Sequence, residues 1–103
     1  MPEPQFLYLT TIGRRSREPR EIEIWFTQRA GRHYVIAEYE TSNWVKNVRA
    51  NPEIRYRVDG QAFRGQARIL NPASDAQLWE EIRELSRQKY GWGEGLVVEL
   101  KPE

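Results

Sequence analysis

The chain has 103 residues, of which 39% are hydrophobic and 30% charged, a balance typical of one soluble globular domain spanning residues 1–103. The absence of cysteine excludes disulfides, thiolate catalysis and cysteine-ligated metals, and no apolar run approaches the ~20 residues that a membrane-spanning helix needs. The formal net charge is only +1, but 13 of the 16 basic residues are arginine, which suits bidentate contacts with phosphate and carboxylate.

The N-terminal segment, "MPEPQFLYL", contains neither the basic region nor the long apolar core of a signal peptide. Together with the absence of cysteine, this predicts a protein of the cytoplasm. The residues from Gln5 to Ile12, "QFLYLTTI", are rich in β-forming residues and predict the first strand.

The segment that follows, "GRRSREPR" from Gly13 to Arg20, contains four arginines, with Glu18 as the only local carboxylate. Gly13 lets the backbone turn so that amides and side chains can converge, and Ser16 adds a hydroxyl donor among the guanidinium groups. Two interpretations remain open: a turn whose charges are screened by water and salt, or a binding site for an anion. The spacing does not match a Walker-type phosphate loop, and no helix follows the segment.

Five further strands are predicted from alternating apolar and polar residues and from turn signals. In "REIEIWF" the two faces are Ile22, Ile24 and Phe26 on one side, and Glu21, Glu23 and Trp25 on the other. Ala30-Gly31 predicts a hairpin turn into "HYVIA", and Asp59-Gly60 predicts a hairpin between "EIRYRV" and "QAFRGQARIL". "LVVEL" is the last predicted strand.

The second hairpin predicts an arginine patch, because Arg55 then lies directly opposite Arg64, with Arg57 on the same outer face. Like charges in opposite positions destabilise a strand pair. Either acidic residues of a neighbouring strand neutralise this patch, or it binds single-stranded nucleic acid together with outward aromatic side chains. The near-neutral net charge argues against nucleic acid as the partner.

Two helices are predicted, the first within "SNWVKNVRANP". This helix begins at a cap on Ser42 or Asn43 and ends before Pro52. Trp44 and Asn47 share one of its faces, where they could stack on a planar ring and hydrogen-bond its edge. In the alternative interpretation, Trp44 belongs to the core and Asn47 is a local cap.

The second helix is predicted from about Pro72 to Tyr90, with Asn71 as its cap, Pro72 in the first helical position and Gly91 as its stop. Its apolar stripe consists of Leu78, Ile82 and Leu85, with Trp79 alongside. After it, "KYGWGEG" is expected either to lay Trp92 over the barrel or to line a pocket.

The order of these elements predicts a mainly β, α+β fold: a small six-stranded antiparallel β-barrel with two helices packed on it. His33 is the only histidine, and the sequence shows neither a metal-ligand cluster nor a Ser-His-Asp arrangement. We therefore assign no catalytic side chain and no metal site, and expect any chemistry to come from a bound cofactor.

Two sequence blocks, "LTTIGRRSREPR" and "NWVKNVRANP", occur in this order with a strand and a hairpin between them. They resemble the pattern Leu-Thr-Thr-x-Gly-Arg-x-Ser-Gly-x-x-Arg, then Trp-x-x-Asn-x-x-Ala-Asn-Pro, of the deazaflavin (F420)-dependent nitroreductase family. These are split β-barrel proteins, related to flavin-binding oxidoreductases of the pyridoxamine-phosphate-oxidase type. The likeness extends through the second helix and so covers most of the chain.

The resemblance implies an oxidoreductase that passes a hydride from reduced coenzyme F420 to a small electron-poor acceptor such as a quinone or nitro compound. It also implies that the basic loop holds the phosphate and acidic tail of the deazaflavin, and that the first helix flanks its ring. The implied cofactor-binding residues are Gly13, Arg14, Arg15, Ser16, Arg20, Trp44 and Asn47. Such a transfer needs orientation and exclusion of water rather than a protein nucleophile.

Two departures from the family pattern leave the cofactor open. Arg17 stands where the family has glycine, and "AEYETSN", with Glu38 and Glu40, stands where a Lys-Gly-Gly-like stretch is common. A flavin mononucleotide is therefore the alternative cofactor, and a non-catalytic split-barrel protein that holds a flavin, a tetrapyrrole or a lipid is the alternative function. Both a homodimer and a monomer are compatible with a small core and an exposed barrel edge.

Overall fold

Six antiparallel strands close into a barrel in the order β1-β2-β3-β6-β5-β4 in the computed structural model, which describes residues 5–103. The strands are β1 (Phe6–Ile12), β2 (Pro19–Arg29), β3 (Arg32–Ala37), β4 (Glu53–Val58), β5 (Gln61–Ile69) and β6 (Leu96–Pro102). Helix α1 (Asn43–Ala50) packs against β1, and helix α2 (Ala76–Tyr90) packs against β2 and β6. The predicted barrel with two helices is confirmed.

Both predicted hairpin turns are present, and their backbone conformation explains their residues. Ala30 and Gly31 have φ values of 52° and 79°, and Asp59 and Gly60 have 52° and 77°. Positive φ at both central residues is the type I′ geometry, whose twist matches that of the flanking strands. The second turn places Arg55 opposite Arg64, as predicted.

Alternate side chains of the strands fill the barrel, as the period of two requires. Leu7 and Leu9 of β1 are fully buried, and Phe26 of β2 and Tyr56 of β4 are 1% exposed. His33, at the start of β3, is also buried and lies against an aromatic cluster. The barrel interior is therefore an apolar core, and any ligand site lies on its outside.

Helix α1 has the predicted bounds, since it follows Ser42 and ends before Asn51 and Pro52. Ser42 occupies the predicted cap position, but its side chain makes no capping hydrogen bond to the helix. Val45 and Val48 are the buried apolar face that docks this helix on the barrel.

The predicted start of α2 is wrong, because the helix begins at Ala76 rather than near Pro72. The Asn71 side chain does accept hydrogen bonds from the N–H groups of Ala73 and Ser74, but these close a separate turn. Asp75 has a non-helical backbone conformation, with φ −107° and ψ 28°, and so separates this turn from the helix. Its carboxylate accepts hydrogen bonds from the Asn71 N–H and from the Arg68 guanidinium. Gly91 ends α2 in the left-handed conformation, as predicted.

One carboxylate in the last strand is buried: Glu99 is 2% exposed. It accepts hydrogen bonds from the Tyr34 hydroxyl at 2.9 Å and the Arg68 guanidinium at 3.1 Å, and Arg32 lies 3.3 Å away. Burial raises the pKa of Glu99, but these hydrogen bonds and charges outweigh it and hold the pKa below its ordinary value. The "LVVEL" pattern gave no sign of this ion-pair network.

Candidate functional site

The arginine loop between β1 and β2 is held by its own hydrogen bonds. The Gly13 N–H donates to the Glu18 carbonyl at 2.8 Å, and the Arg17 N–H donates to the Gly13 carbonyl at 2.8 Å. Inside the loop, the Ser16 hydroxyl oxygen accepts from the Glu18 N–H at 3.2 Å. The loop therefore presents its arginine side chains from a closed backbone turn.

Two positions in this loop, Gly13 and Arg17, have backbone surroundings or conformations that few residues fit. A Cβ on Gly13 would lie 2.5 Å from the Ser16 hydroxyl oxygen and 3.3 Å from the Glu18 carbonyl oxygen, so any larger residue would disturb the turn. Arg17 has φ 63°, in the left-handed region that glycine adopts readily. Arg17 thus adopts a backbone conformation that favours glycine, the residue that the family pattern has at this position.

Helix α1 is tied to the loop through Asn47, which is 4% exposed. Its side-chain oxygen accepts hydrogen bonds from the Arg14 backbone N–H at 3.2 Å and from the Arg14 guanidinium at 3.0 Å. Its amide nitrogen donates to the Thr11 hydroxyl at 3.2 Å. Asn47 is therefore not a local helix cap, since it joins α1, the end of β1 and the loop.

A cleft of about 540 Å³ opens between the loop and α1. Its lining includes all seven residues implied by the resemblance: Gly13, Arg14, Arg15, Ser16, Arg20, Trp44 and Asn47. The sequence interpretation missed Thr11 and Asn43, which also line it and bond to Asn47 and Arg14. We call this cavity the basic cleft.

The electrostatic balance of the basic cleft is positive. Arg14, Arg15 and Arg20 line it, and Glu21 is the one carboxylate among its described lining residues. Glu21 lies 3.2 Å from the Arg57 guanidinium, so its charge is already opposed from outside the cleft. Guanidinium groups that converge with a hydroxyl can bind a phosphate or several carboxylates.

A second cleft of about 550 Å³ adjoins the first, with Trp44 lining both. Its walls are largely aromatic and aliphatic: Phe6, Ile24, Trp25, Ile36, Tyr39, Trp44 and Trp92. We call it the aromatic cleft. Its residues come from β1, β2, β3, the segment between β3 and α1, α1 itself and the loop after α2, so the tertiary fold assembles it.

Trp25, which forms one wall of the aromatic cleft, is held in place by contacts with two other aromatic side chains. Its indole stacks on the Tyr90 ring at 4.4 Å with an interplanar angle of 1°, and Trp92 meets it edge-on at 6.4 Å. The Tyr90 hydroxyl in turn accepts from the Phe26 N–H at 3.0 Å. A planar ligand would therefore meet a preorganised ring at Trp25.

Of the residues in the aromatic cleft, only Trp44 and Trp92 were expected from the sequence to lie against a ligand. A signal for the rest was present: Phe6 and Trp25 occupy outward strand positions and are 40% and 39% exposed, an unusual use of large apolar residues. Glu38, from the stretch that departs from the family pattern, also lines this cleft and is exposed. Glu40 does not line either cleft.

Two further properties bear on the kind of site. Within the described chain, no group of three or more histidine, cysteine or acidic side chains is arranged to hold a metal ion. None of the helices in residues 5–103 has the length and apolar character needed to cross a membrane.

Comparison with known proteins identifies relatives that match most of the chain. The model of the family described as F420H(2)-dependent quinone reductase matches residues 1–94. An F420H(2)-dependent quinone reductase of Mycobacterium tuberculosis is 24% identical over 93 residues, which cover 84% of this chain and 62% of the relative. The chain therefore spans less than two thirds of the length of that curated relative.

Solved structures share the fold at low identity. A structure of the F420-H2 dependent reductase FDR-A has a TM-score of 0.70 and 18% identity, covering 94% of both chains. The heme storage protein HutZ from Vibrio cholerae has a TM-score of 0.79 and 16% identity, covering 98% of this chain and 83% of the other. The family match confirms the resemblance that the two sequence blocks indicated.

Proposed function

The chain belongs to the F420H(2)-dependent quinone reductase family, and we propose that it transfers a hydride from reduced coenzyme F420 to a quinone or another small electron-poor acceptor. One observation carries this proposal: the seven residues implied as cofactor ligands surround a single basic cleft. The adjoining aromatic cleft, which shares Trp44, offers a surface for planar rings.

The donor set of the basic cleft fits an anionic cofactor. Arg14, Arg15 and Arg20 supply guanidinium groups, and Ser16 supplies a hydroxyl, around a loop whose backbone is closed by hydrogen bonds. Coenzyme F420 brings a phosphate and an acidic tail, which are the groups that arginine binds in bidentate geometry. We infer that these residues hold the anionic end of the cofactor.

When bound, the reduced deazaflavin supplies the hydride. The chain's own residues then have three tasks: to bind the anionic groups, to orient planar rings and to keep water from them. We assign the first task to the arginine loop and the other two to Trp44 and the aromatic cleft. No protein nucleophile is needed for these tasks, and we propose no catalytic side chain.

Activity is tested with the purified protein, reduced coenzyme F420 and the quinone menadione under anaerobic conditions. We expect one quinone to be reduced for each F420 oxidised, because a hydride and a proton convert a quinone to its hydroquinone. A parallel titration with flavin mononucleotide decides between the two cofactors. Binding of F420 without turnover of any quinone or nitro compound would instead support the non-catalytic alternative.

The expectations about macromolecular partners, cellular location and domain organisation are also proposals. We propose that nucleic acid is not a partner, because the arginines of β4 and β5 lie beside the acidic residues of β2 on the same barrel face. The cytoplasmic location and the single-domain organisation expected from the sequence also remain predictions.

A further inference from the structure

The outer face of β1 and its neighbouring strands carries opposite charges on its two sides. The register forms two rows across β2, β1 and β4: Glu23, Tyr8 and Arg57 in one, and Glu21, Thr10 and Arg55 in the next. Arg64 of β5, opposite Arg55, extends the positive side. We call this surface, made of the two rows and Arg64, the dipolar face.

Some charged side chains of the dipolar face have a partner within the chain, and others do not. Arg57 lies 3.2 Å from Glu21 and 4.7 Å over the Tyr8 ring. Arg55 and Arg64 are both exposed and oppose each other across the strand pair, and neither makes an ion pair with any residue from 5 to 103. Such a pair of like charges is destabilising unless an acidic partner lies against it.

The pattern of charges decides which kind of partner fits. A polyanion such as nucleic acid prefers a surface of uniform positive charge, but Glu21 and Glu23 would repel it at one side of this face. A partner with the reverse arrangement of charges is matched at both sides. The chain itself presents that arrangement when it is rotated by half a turn.

We propose that a second copy of this chain docks on the dipolar face, about a two-fold axis that lies in the interface parallel to β1. This rotation keeps each row in register and exchanges the sides, so that Glu21 faces Arg55 of the second copy and Glu23 faces its Arg57. An axis running across the strands would set acid against acid and is excluded by charge. The contact is isologous, and each ion pair therefore occurs twice.

The centre of this contact consists of Tyr8 and Thr10, which carry no charge. Tyr8 lies on the axis and meets Tyr8 of the second copy, and this residue is 36% exposed in the single chain. Glu21 lines the basic cleft and Glu23 lines the aromatic cleft, so the second copy borders the rims of both. The docking does not depend on the proposed function, since it is argued from β1, β2, β4 and β5 alone.

The test is sedimentation of the cofactor-free protein over a concentration series, with two charge-reversed variants. One variant carries Arg55→Glu and Arg57→Glu, and the other carries Glu21→Arg and Glu23→Arg. Each alone sets like charges against each other at both ends of the interface, and we expect its dimer dissociation constant to rise by at least about 100-fold. Mixed in equal amounts, the two variants restore both sets of pairs and form a heterodimer.

Two controls keep the result specific. Glu80→Arg with Glu84→Arg makes the same charge change as the β2 variant on the exposed side of α2, and we expect it to dimerise like the parent. Tyr8→Ser removes the central ring without changing charge and should raise the dissociation constant about tenfold. Circular dichroism melting checks that each variant is folded.

The proposal fails if the parent protein is monomeric throughout the series, or if the charge-reversed variants dimerise as tightly as the parent. It also fails if mixing two monomeric variants produces no heterodimer. Salt-sensitive binding of a single-stranded oligonucleotide by a monomeric parent, lost with Arg55→Glu and Arg57→Glu, would assign the face to nucleic acid instead.

Discussion

The side-chain oxygen of Asn47 accepts two hydrogen bonds from Arg14, one from its backbone N–H at 3.2 Å and one from its guanidinium at 3.0 Å. This contact joins α1 to the arginine loop across 33 positions of sequence. It makes Asn47 both a structural residue and part of the lining of the basic cleft.

Asn47→Ala should lower the free energy of unfolding by about 1–3 kcal/mol, because it leaves the buried Thr11 hydroxyl and the Arg14 N–H without their partner. Asn47→Asp keeps an acceptor for Arg14 but adds a negative charge to the cleft. We expect Asn47→Asp to weaken binding of F420 by at least about tenfold, at about 1.4 kcal/mol per factor of ten. The measurement pairs thermal melting with a fluorescence titration of F420. Unchanged affinity in Asn47→Asp would show that this cleft does not bind the anionic cofactor.

Arg15→Ala and Arg20→Ala should each weaken F420 binding by about 1.5–3 kcal/mol, the range for a charge-assisted hydrogen bond. Within the described residues neither side chain makes an ion pair, so the melting temperature should not change. Arg14→Ala should reduce both affinity and melting temperature because it also loses its bond to Asn47. Arg64→Ala, outside the cleft, is the matched control. Equal affinity in all four variants and the parent would remove the loop from the cofactor site.

Trp25→Leu should raise the KM for a quinone about five- to tenfold, because it removes the aromatic wall that Tyr90 supports. The affinity for F420 should stay within about twofold if its anionic end is held in the other cleft. Trp25→Phe keeps a ring and should have a smaller effect. Steady-state kinetics with menadione measures both values, and an unchanged KM in Trp25→Leu would place the acceptor elsewhere.

Arg17→Gly should be more stable than Arg17→Ala by about 0.5–1 kcal/mol, because φ 63° strains any residue with a Cβ. Both variants remove the same guanidinium, so their difference isolates the backbone. Arg17 does not line the basic cleft, and we expect both to bind F420 within about twofold of the parent. Chemical denaturation measures the stability. A large loss of affinity in both variants would show that this arginine reaches the cofactor.

Glu99→Gln should lower the stability at neutral pH by about 1–3 kcal/mol, because it replaces a buried carboxylate bonded to Arg68 and Tyr34. The pKa of Glu99 is lower in the folded chain than its ordinary value of 4.5. Its stabilisation is therefore present above that value and is lost as the pH falls through the folded-state pKa. The gap between parent and variant should close in acid, as melting curves would show. Glu84→Gln, an exposed partner of Arg87, is the control.

Local sequence determined the features that depend on neighbouring residues. The type I′ turns at Ala30-Gly31 and Asp59-Gly60 follow from their own backbone preferences, and alternation predicted which strand side chains enter the barrel. The sequence after Gly13 also placed four arginines on one short loop, but it left open whether that loop binds an anion.

Only the tertiary structure decided the features that depend on distant residues. Asn47 has its partners on β1 and the arginine loop, and the start of α2 is set by Asp75 binding Arg68 of β5. The aromatic cleft joins side chains from Phe6 to Trp92, which no local pattern relates. The dipolar face arises because β1 pairs with β2 on one side and with β4 on the other. In each case the deciding interaction is between strands or helices that closure of the barrel brings together.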